Sequence, residues 1–244
     1  MFEPLHFVWL AISAILITVG VILAVKKNLS LNGALTIFCV ICVLSEVVKI
    51  FYVLIRKERF LFKDNGEFLG AYIKETDLPF HLCSMQIIFS FIARFAKSEK
   101  VKNFCITFMI PTGLIGALAA LFIITVPTVF TNVRTYQYVL YHAGLVWISI
   151  VLIFKKKERL DLKAFFKVIV GLFVAAIFAI YINGLTQNTN FLYVSAPPME
   201  GLPVLNMNNG YLCYFLSYMG VAVLLLLIFF LPFIIYYKVK DKKQ

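Results

Sequence analysis

His81 and Cys83 stand two residues apart in the run Leu78-Pro79-Phe80-His81-Leu82-Cys83, where a charged segment gives way to an apolar stretch long enough to cross a bilayer. A thiolate is a nucleophile and an imidazole is a base able to generate one, so these residue types offer acyl transfer through a thioester. Charged groups within a membrane span cost roughly 2.5–3.5 kcal/mol at its centre, and ionisable residues there usually face a protein interior or a water-filled cavity. His142, in Tyr138-Val139-Leu140-Tyr141-His142, is a second histidine so placed. On a helix, side chains two residues apart diverge by about 200°. His142 is therefore the expected general base for Cys83, and His81 the group that orients substrate or serves as a second acid–base. A buried, hydrogen-bonded histidine is the plain alternative for His142. With Pro79 in the first turn and Asp77 as a cap, the start of this helix would offer unpaired N–H groups and a dipole to a thiolate or an oxyanion.

The elements that must position these groups are membrane helices. The chain is 62% hydrophobic over 244 residues, well above the roughly 45–50% apolar content of soluble domains. Apolar stretches near 20 residues give seven spans, about 5–25, 33–55, 78–96, 104–124, 135–154, 164–185 and 211–237. Their even spacing predicts an all-α polytopic membrane protein, one bundle of seven transmembrane helices in a single domain over 1–244. Met1-Phe2-Glu3-Pro4 lacks a basic n-region, so the first span is expected to remain in the protein.

Charge orients the bundle. Sixteen of the 23 Lys and Arg residues fall in alternate segments beginning after span 1, six in the others, and Lys49 within span 2. The positive-inside rule then predicts an N-terminus outside and a basic C-terminus in the cytoplasm. Acidic residues favour the opposite side, seven to four, so the net charge of +11 is topological. It calls for anionic lipid rather than nucleic acid.

On that topology every histidine lies in the outer half. His81 and Cys83 fall about 5–8 Å into span 3 and His142 about 10 Å into span 5, while His6 opens span 1 as an interfacial residue. Glu46, paired with Lys49 on one face of span 2, joins Gln86 and Asn183 in the same layer. Arg134, just outside span 5, is a headgroup snorkeller or a phosphate ligand at the mouth. Together they predict a polar cavity open to the extracytoplasmic side, with Glu46, Gln86, Arg134 and Asn183 on its substrate-binding wall. Glu46 with Lys49 also has a purely structural reading, as an ion pair that fixes helix orientation.

Small residues recur at Gly113/Ala117 and Gly116/Ala120 in span 4 and at Gly171, Ala175 and Ala179 in span 6, which predicts close helix packing. The segment at about 186–210 has Glu200 as its single charge, with Pro197, Pro198, Pro203 and five asparagines, and suits a lid or re-entrant cap. The segment at about 56–77 is mixed in charge and expected on the surface. Cys39 and Cys42 sit within an apolar helix with no second pair, so packing is the expectation, with no metal and no cofactor. A bridge between Cys83 and Cys213 would exclude the nucleophile. No Gly-rich phosphate loop is present, which removes nucleotide-driven chemistry.

The order Leu78-Pro79-Phe80-His81-Leu82-Cys83, then Tyr141-His142, then Asn190-Phe191-Leu192-Tyr193 with Pro197 and Pro198, in seven spans, resembles the YwaF-like bacterial membrane proteins. These are distant relatives of the animal transmembrane-protein-164 acyltransferases. The resemblance implies transfer of a fatty acyl chain between phospholipids in a bacterial cell membrane, through an acyl-enzyme at the cysteine that Cys83 matches. It further implies histidine assistance, from His142 most readily, and a lid lined by Asn190. The competing expectation is a transporter or small-molecule-binding protein that uses the same cavity without catalysis.

Overall fold

In a computed structural model, the structure describes residues 3–55, 60–71, 78–123, 126–156, 158–186, 189–197, 202 and 204–242. Among the described residues seven helices carry the fold: α1 (Pro4–Lys26), α2 (Leu31–Ile55), α3 (Leu82–Phe95), α4 (Glu99–Phe122), α5 (Val133–Lys155), α6 (Leu162–Thr186) and α7 (Tyr211–Asp241). All but α3 are long and apolar enough to cross a membrane. The protein is a multi-pass helical membrane protein. Its outward surface matches that setting, because Ile15, Val19 and Leu23 of α1 and Leu212, Leu216 and Ile228 of α7 are all exposed. Such faces are stable only against hydrocarbon.

Two expectations are corrected. The third span, expected over 78–96, is a helix of 14 residues, Leu82–Phe95, about 21 Å long against a hydrocarbon core of about 30 Å. Leu78–Phe80 instead forms a tight turn in which Phe80 N–H donates to the Leu78 carbonyl at 2.9 Å. Pro79 has no N–H to give a helix and disfavours helical geometry at the residue before it. The all-α expectation also omitted a hairpin, β1 (Phe60–Phe62) and β2 (Phe68–Ala71), paired antiparallel. An exposed Lys63–Glu67 ion pair at 2.7 Å closes its turn, as suits a surface segment.

The chain divides into two compact units, Met1–Lys74 with Gln86–Lys156, and Glu75–Met85 with Lys157–Gln244. In the first, α5 is the central element, packed by α4, α2 and α1. Phe108, Met109 and Ile110 of α4 and Leu145, Ile148 and Leu152 of α5 are fully buried. Lipid is as apolar as leucine, so close packing rather than water exclusion must hold such helices together. Gly113 supplies it, since a Cβ there would stand 2.7 Å from Ser149 Oγ and 3.0 Å from Leu145 Cδ1.

In the second unit, the small face of α6, Ala175, Ala176 and Ala179, receives the segment that follows it. Phe191, Leu192 and Val194 bury there with Met219 of α7, and Leu78, Phe80 and Leu82 pack against the same cluster. A short 3-10 turn, Phe191–Tyr193, places two side-chain-bearing residues in left-handed backbone, Leu192 at φ 55° and Tyr193 at φ 53°. Such conformations cost about 1–3 kcal/mol each and persist only where surrounding contacts enforce them.

Candidate functional site

Those contacts come from amides. Asn183 of α6 uses its full hydrogen-bonding capacity on the following segment. Its Nδ2 donates to the Phe191 carbonyl at 3.2 Å and to Ser195 Oγ at 3.0 Å, while Oδ1 accepts from Phe191 N–H at 2.8 Å and Thr189 Oγ1 at 3.0 Å. Asn190 folds the segment on itself, its Oδ1 accepting from Ser195 and Ala196 N–H and its Nδ2 donating to the Ala196 carbonyl at 2.8 Å. From α7, Tyr214 donates its phenol proton to the Tyr193 carbonyl. Asn183, expected on a substrate-binding wall, thus spends every donor and acceptor on holding this segment.

The rings so held meet His81. Its imidazole packs edge-on to Phe191 at 5.1 Å between centroids and lies 5.5 Å from the Tyr193 ring, while Phe80 packs on Phe191 at 5.4 Å. Cys83 lies within electrostatic reach of the Tyr193 phenol, and burial first, then that thiol, push the phenol above its usual range. Tyr193 is accordingly a neutral O–H donor at physiological pH. Two motifs more than 100 positions apart in sequence, 78–83 and 190–193, therefore share one aromatic cluster.

The local backbone places the thiol. The His81 carbonyl accepts from Met85 N–H at 2.9 Å, which makes His81 the residue before the first helical position and puts Cys83 in the first turn of α3. The N–H groups of that turn have no acceptors within the helix, and the helix dipole favours an anion there. His81 itself is outside the helix, so the 200° divergence expected between it and Cys83 does not apply. Cys83 is half-buried, Cys213 is exposed, and neither is in a disulfide. Asp77, the expected cap, lies outside the described residues, as do Asn188, Pro198, Glu200 and Pro203 of the expected lid.

The remaining candidates lie in the first unit. His142 is buried, its Nδ1 2.7 Å from the Tyr138 carbonyl, and its ring is flanked by Tyr138 at 4.2 Å and Tyr141 at 5.2 Å. Its Nε2 has no hydrogen-bond partner among the described residues. Arg134, in the first turn of α5, donates to Gln137 Oε1 at 3.0 Å, and Gln137 Nε2 donates to Ser45 Oγ at 2.6 Å. Beside Ser45, Glu46 pairs with Lys49 at 2.6 Å, as their spacing predicted. Gln86 donates to Thr112 Oγ1 at 3.0 Å, and His6 Nε2 lies 3.1 Å from the Leu121 carbonyl. Cys39 and Cys42 are buried beside Ser90, Cys39 Sγ at 3.8 Å and Cys42 Sγ at 3.9 Å from its Oγ.

Sequence reasoning passed over Gln137, Tyr138 and the phenol of Tyr193. The first two carried a signal, Gln137 three residues after Arg134 and Tyr138 four before His142, spacings that bring helical residues together. The third carried none, because the left-handed turn that presents Tyr193 has no glycine to announce it.

The family model described as the TMEM164 family matches residues 1–231. No curated protein and no solved structure matches the chain.

Proposed function

The chain belongs to the TMEM164 family, and from that membership we propose that it is a membrane-embedded acyltransferase acting on phospholipids, with Cys83 as the nucleophile. The observation that carries the reading is the shared cluster of the two motifs, with Cys83 in the first turn of α3 within electrostatic reach of the Tyr193 phenol, and the His81 ring against Phe191 and Tyr193. Strained backbone such as that at Leu192 and Tyr193 clusters at functional sites, which supports a role for this segment in holding substrate.

The steps follow from the groups. A neutral imidazole takes the Cys83 proton, and Sγ attacks the carbonyl carbon of a phospholipid ester. The oxyanion is stabilised by the Tyr193 phenol and by the positive end of the α3 dipole. Collapse breaks the ester C–O bond, and the departing glycerol oxygen takes the proton back from the imidazolium. A thioester remains on Cys83. The hydroxyl of a second lysophospholipid then attacks that thioester, giving its proton to the imidazole as the S–C bond breaks. His142 is the base expected from sequence, and its Nε2, with no hydrogen-bond partner among the described residues, is in the state a base needs before it takes a proton. His81 is the imidazole that lies in the same unit as Cys83. The proposed topology puts the N-terminus outside and the reaction at the extracytoplasmic leaflet.

Purified protein given phospholipid with a labelled acyl chain should acquire a hydroxylamine-sensitive adduct at Cys83. Absence of the adduct, or turnover by Cys83→Ala, overturns the nucleophile. The base is read from two variants: a loss of about 10²–10⁴-fold in adduct formation in His142→Gln with a smaller loss in His81→Gln assigns His142, and the reverse order assigns His81. A transporter or binding protein is the second reading, supported by the Glu46–Lys49 pair within α2. It predicts bound or translocated solute with no adduct.

A further inference from the structure

The first unit contains a cavity of about 460 Å³ lined by none of the residues discussed for catalysis. α1 contributes Leu16, Gly20, Leu23 and Ala24, with Lys27 just past its end, α2 contributes Ile37 and Ile41, and α5 contributes Leu140 and Trp147. The volume is in the range of ligand sites, roughly 300–1,000 Å³. Lys27 at its end is the single charged group in an otherwise apolar lining. From this cleft we propose a second lipid site, in which one acyl chain of a phospholipid lies between α1, α2 and α5 with its phosphate at Lys27.

Depth supports that occupant. Leu16 to Lys27 covers about 16 Å of α1, and Ile41 lies about 15 Å into α2 from its Leu31 end. Both distances are half of a hydrocarbon core of about 30 Å, so the cleft runs from a charged boundary to the bilayer midplane. That is the reach of one leaflet's acyl chain. A helix of about 10 Å diameter would occupy the same volume with only about four residues, so a partner helix fits it poorly.

The charged end is built for an anion. Lys27 follows Lys26 at the end of α1, and Lys155 Nζ donates to Asn28 Oδ1 at 3.0 Å, which brings a further ammonium to the same turn. Gly20 shapes the apolar end, since a Cβ there would stand 2.8 Å from Trp147 Cδ1. The bare backbone at Gly20 lets the indole lie against α1 and form the cleft wall. Ile37 and Leu140 are exposed on the rim, where lipid would enter laterally.

The test uses the full chain in nanodiscs and two photoreactive probes with the same diazirine-tipped acyl chain, a phosphatidylglycerol and a diacylglycerol without phosphate. Adducts should concentrate in α2 around Ile37–Ile41 and in α5 around Leu140–Trp147. Ile37→Trp and Leu140→Trp, two changes at exposed rim positions on different helices, should each bring labelling to background. The phosphatidylglycerol should label about fivefold more than the diacylglycerol, the effect of one lysine near the surface, and Lys27→Glu should abolish the difference. Labelling spread over all lipid-facing helices and unchanged in both Trp variants means annular lipid only and overturns the site. A cross-linked dimer through Ile37→Cys in place of lipid adducts, or equal labelling by the two probes, overturns it as well. Cys83→Ala should label normally, so failure of the acyl-transfer reading leaves this result untouched.

Discussion

A carbonyl oxygen can only accept, so the 2.7 Å contact between His142 and Tyr138 puts the ring proton on Nδ1 and leaves the lone pair on Nε2. A neighbour four residues away has thereby fixed the tautomer of the expected base. Asn183 shows the opposite use of a polar side chain, with no capacity left over. Asn183→Ala would strand the buried Phe191 N–H, at a cost of roughly 1–3 kcal/mol for the unmet donor. Hydrogen exchange should accelerate at the amides of Phe191 and Ser195 while those of α4 and α5 stay protected, and uniform acceleration would contradict a local role. The chemistry-bearing types were legible in sequence. What Asn183 does was not, because spacing within a span cannot tell an amide that waits for a ligand from one already saturated by the next loop.

Among elements, six long helices followed from hydropathy alone, with ends within a few residues, because lipid admits few alternatives to a helix of that length. The third span was overestimated because an apolar window does not register that Leu78–Phe80 is a turn, and the hairpin was missed because strands of three and four residues carry too little pattern. Close packing of α4 on a neighbour was legible in the small residues, though not that the neighbour is α5, and it yields a measurable expectation. Gly113→Leu should destabilise the first unit by about 1–3 kcal/mol through overpacking, seen as a lower melting temperature in detergent. Ser149→Gly should recover part of that loss, since Ser149 Oγ is the nearest obstruction at 2.7 Å. No recovery would mean that the helices are not in contact there.

For the whole molecule, the proposed orientation rests on the distribution of 23 basic residues. With the exposed Cys213 replaced by serine, a cysteine introduced at exposed Asn209, just before α7, should react with a membrane-impermeant maleimide in intact cells, whereas one at Lys242, just after α7, should react only after permeabilisation. The reverse pattern would invert the topology and move the proposed chemistry to the other leaflet. The membrane class was legible from composition. The division into two units was not, since the break in the second falls inside α3 and leaves no linker of altered composition.

The shortness of α3 has a consequence for the surrounding lipid. At about 21 Å, the 14-residue α3 is about 9 Å shorter than a hydrocarbon core of about 30 Å. A bilayer meets a short helix by thinning, at fractions of a kcal/mol per Å. Thinning would carry the glycerol esters down to the first turn of α3 instead of requiring a lipid to be lifted out. On the proposed acyl-transfer reading, the elastic state of the bilayer becomes part of the reaction coordinate, and turnover should rise in nanodiscs of short-chain phosphatidylcholine and fall in long-chain ones.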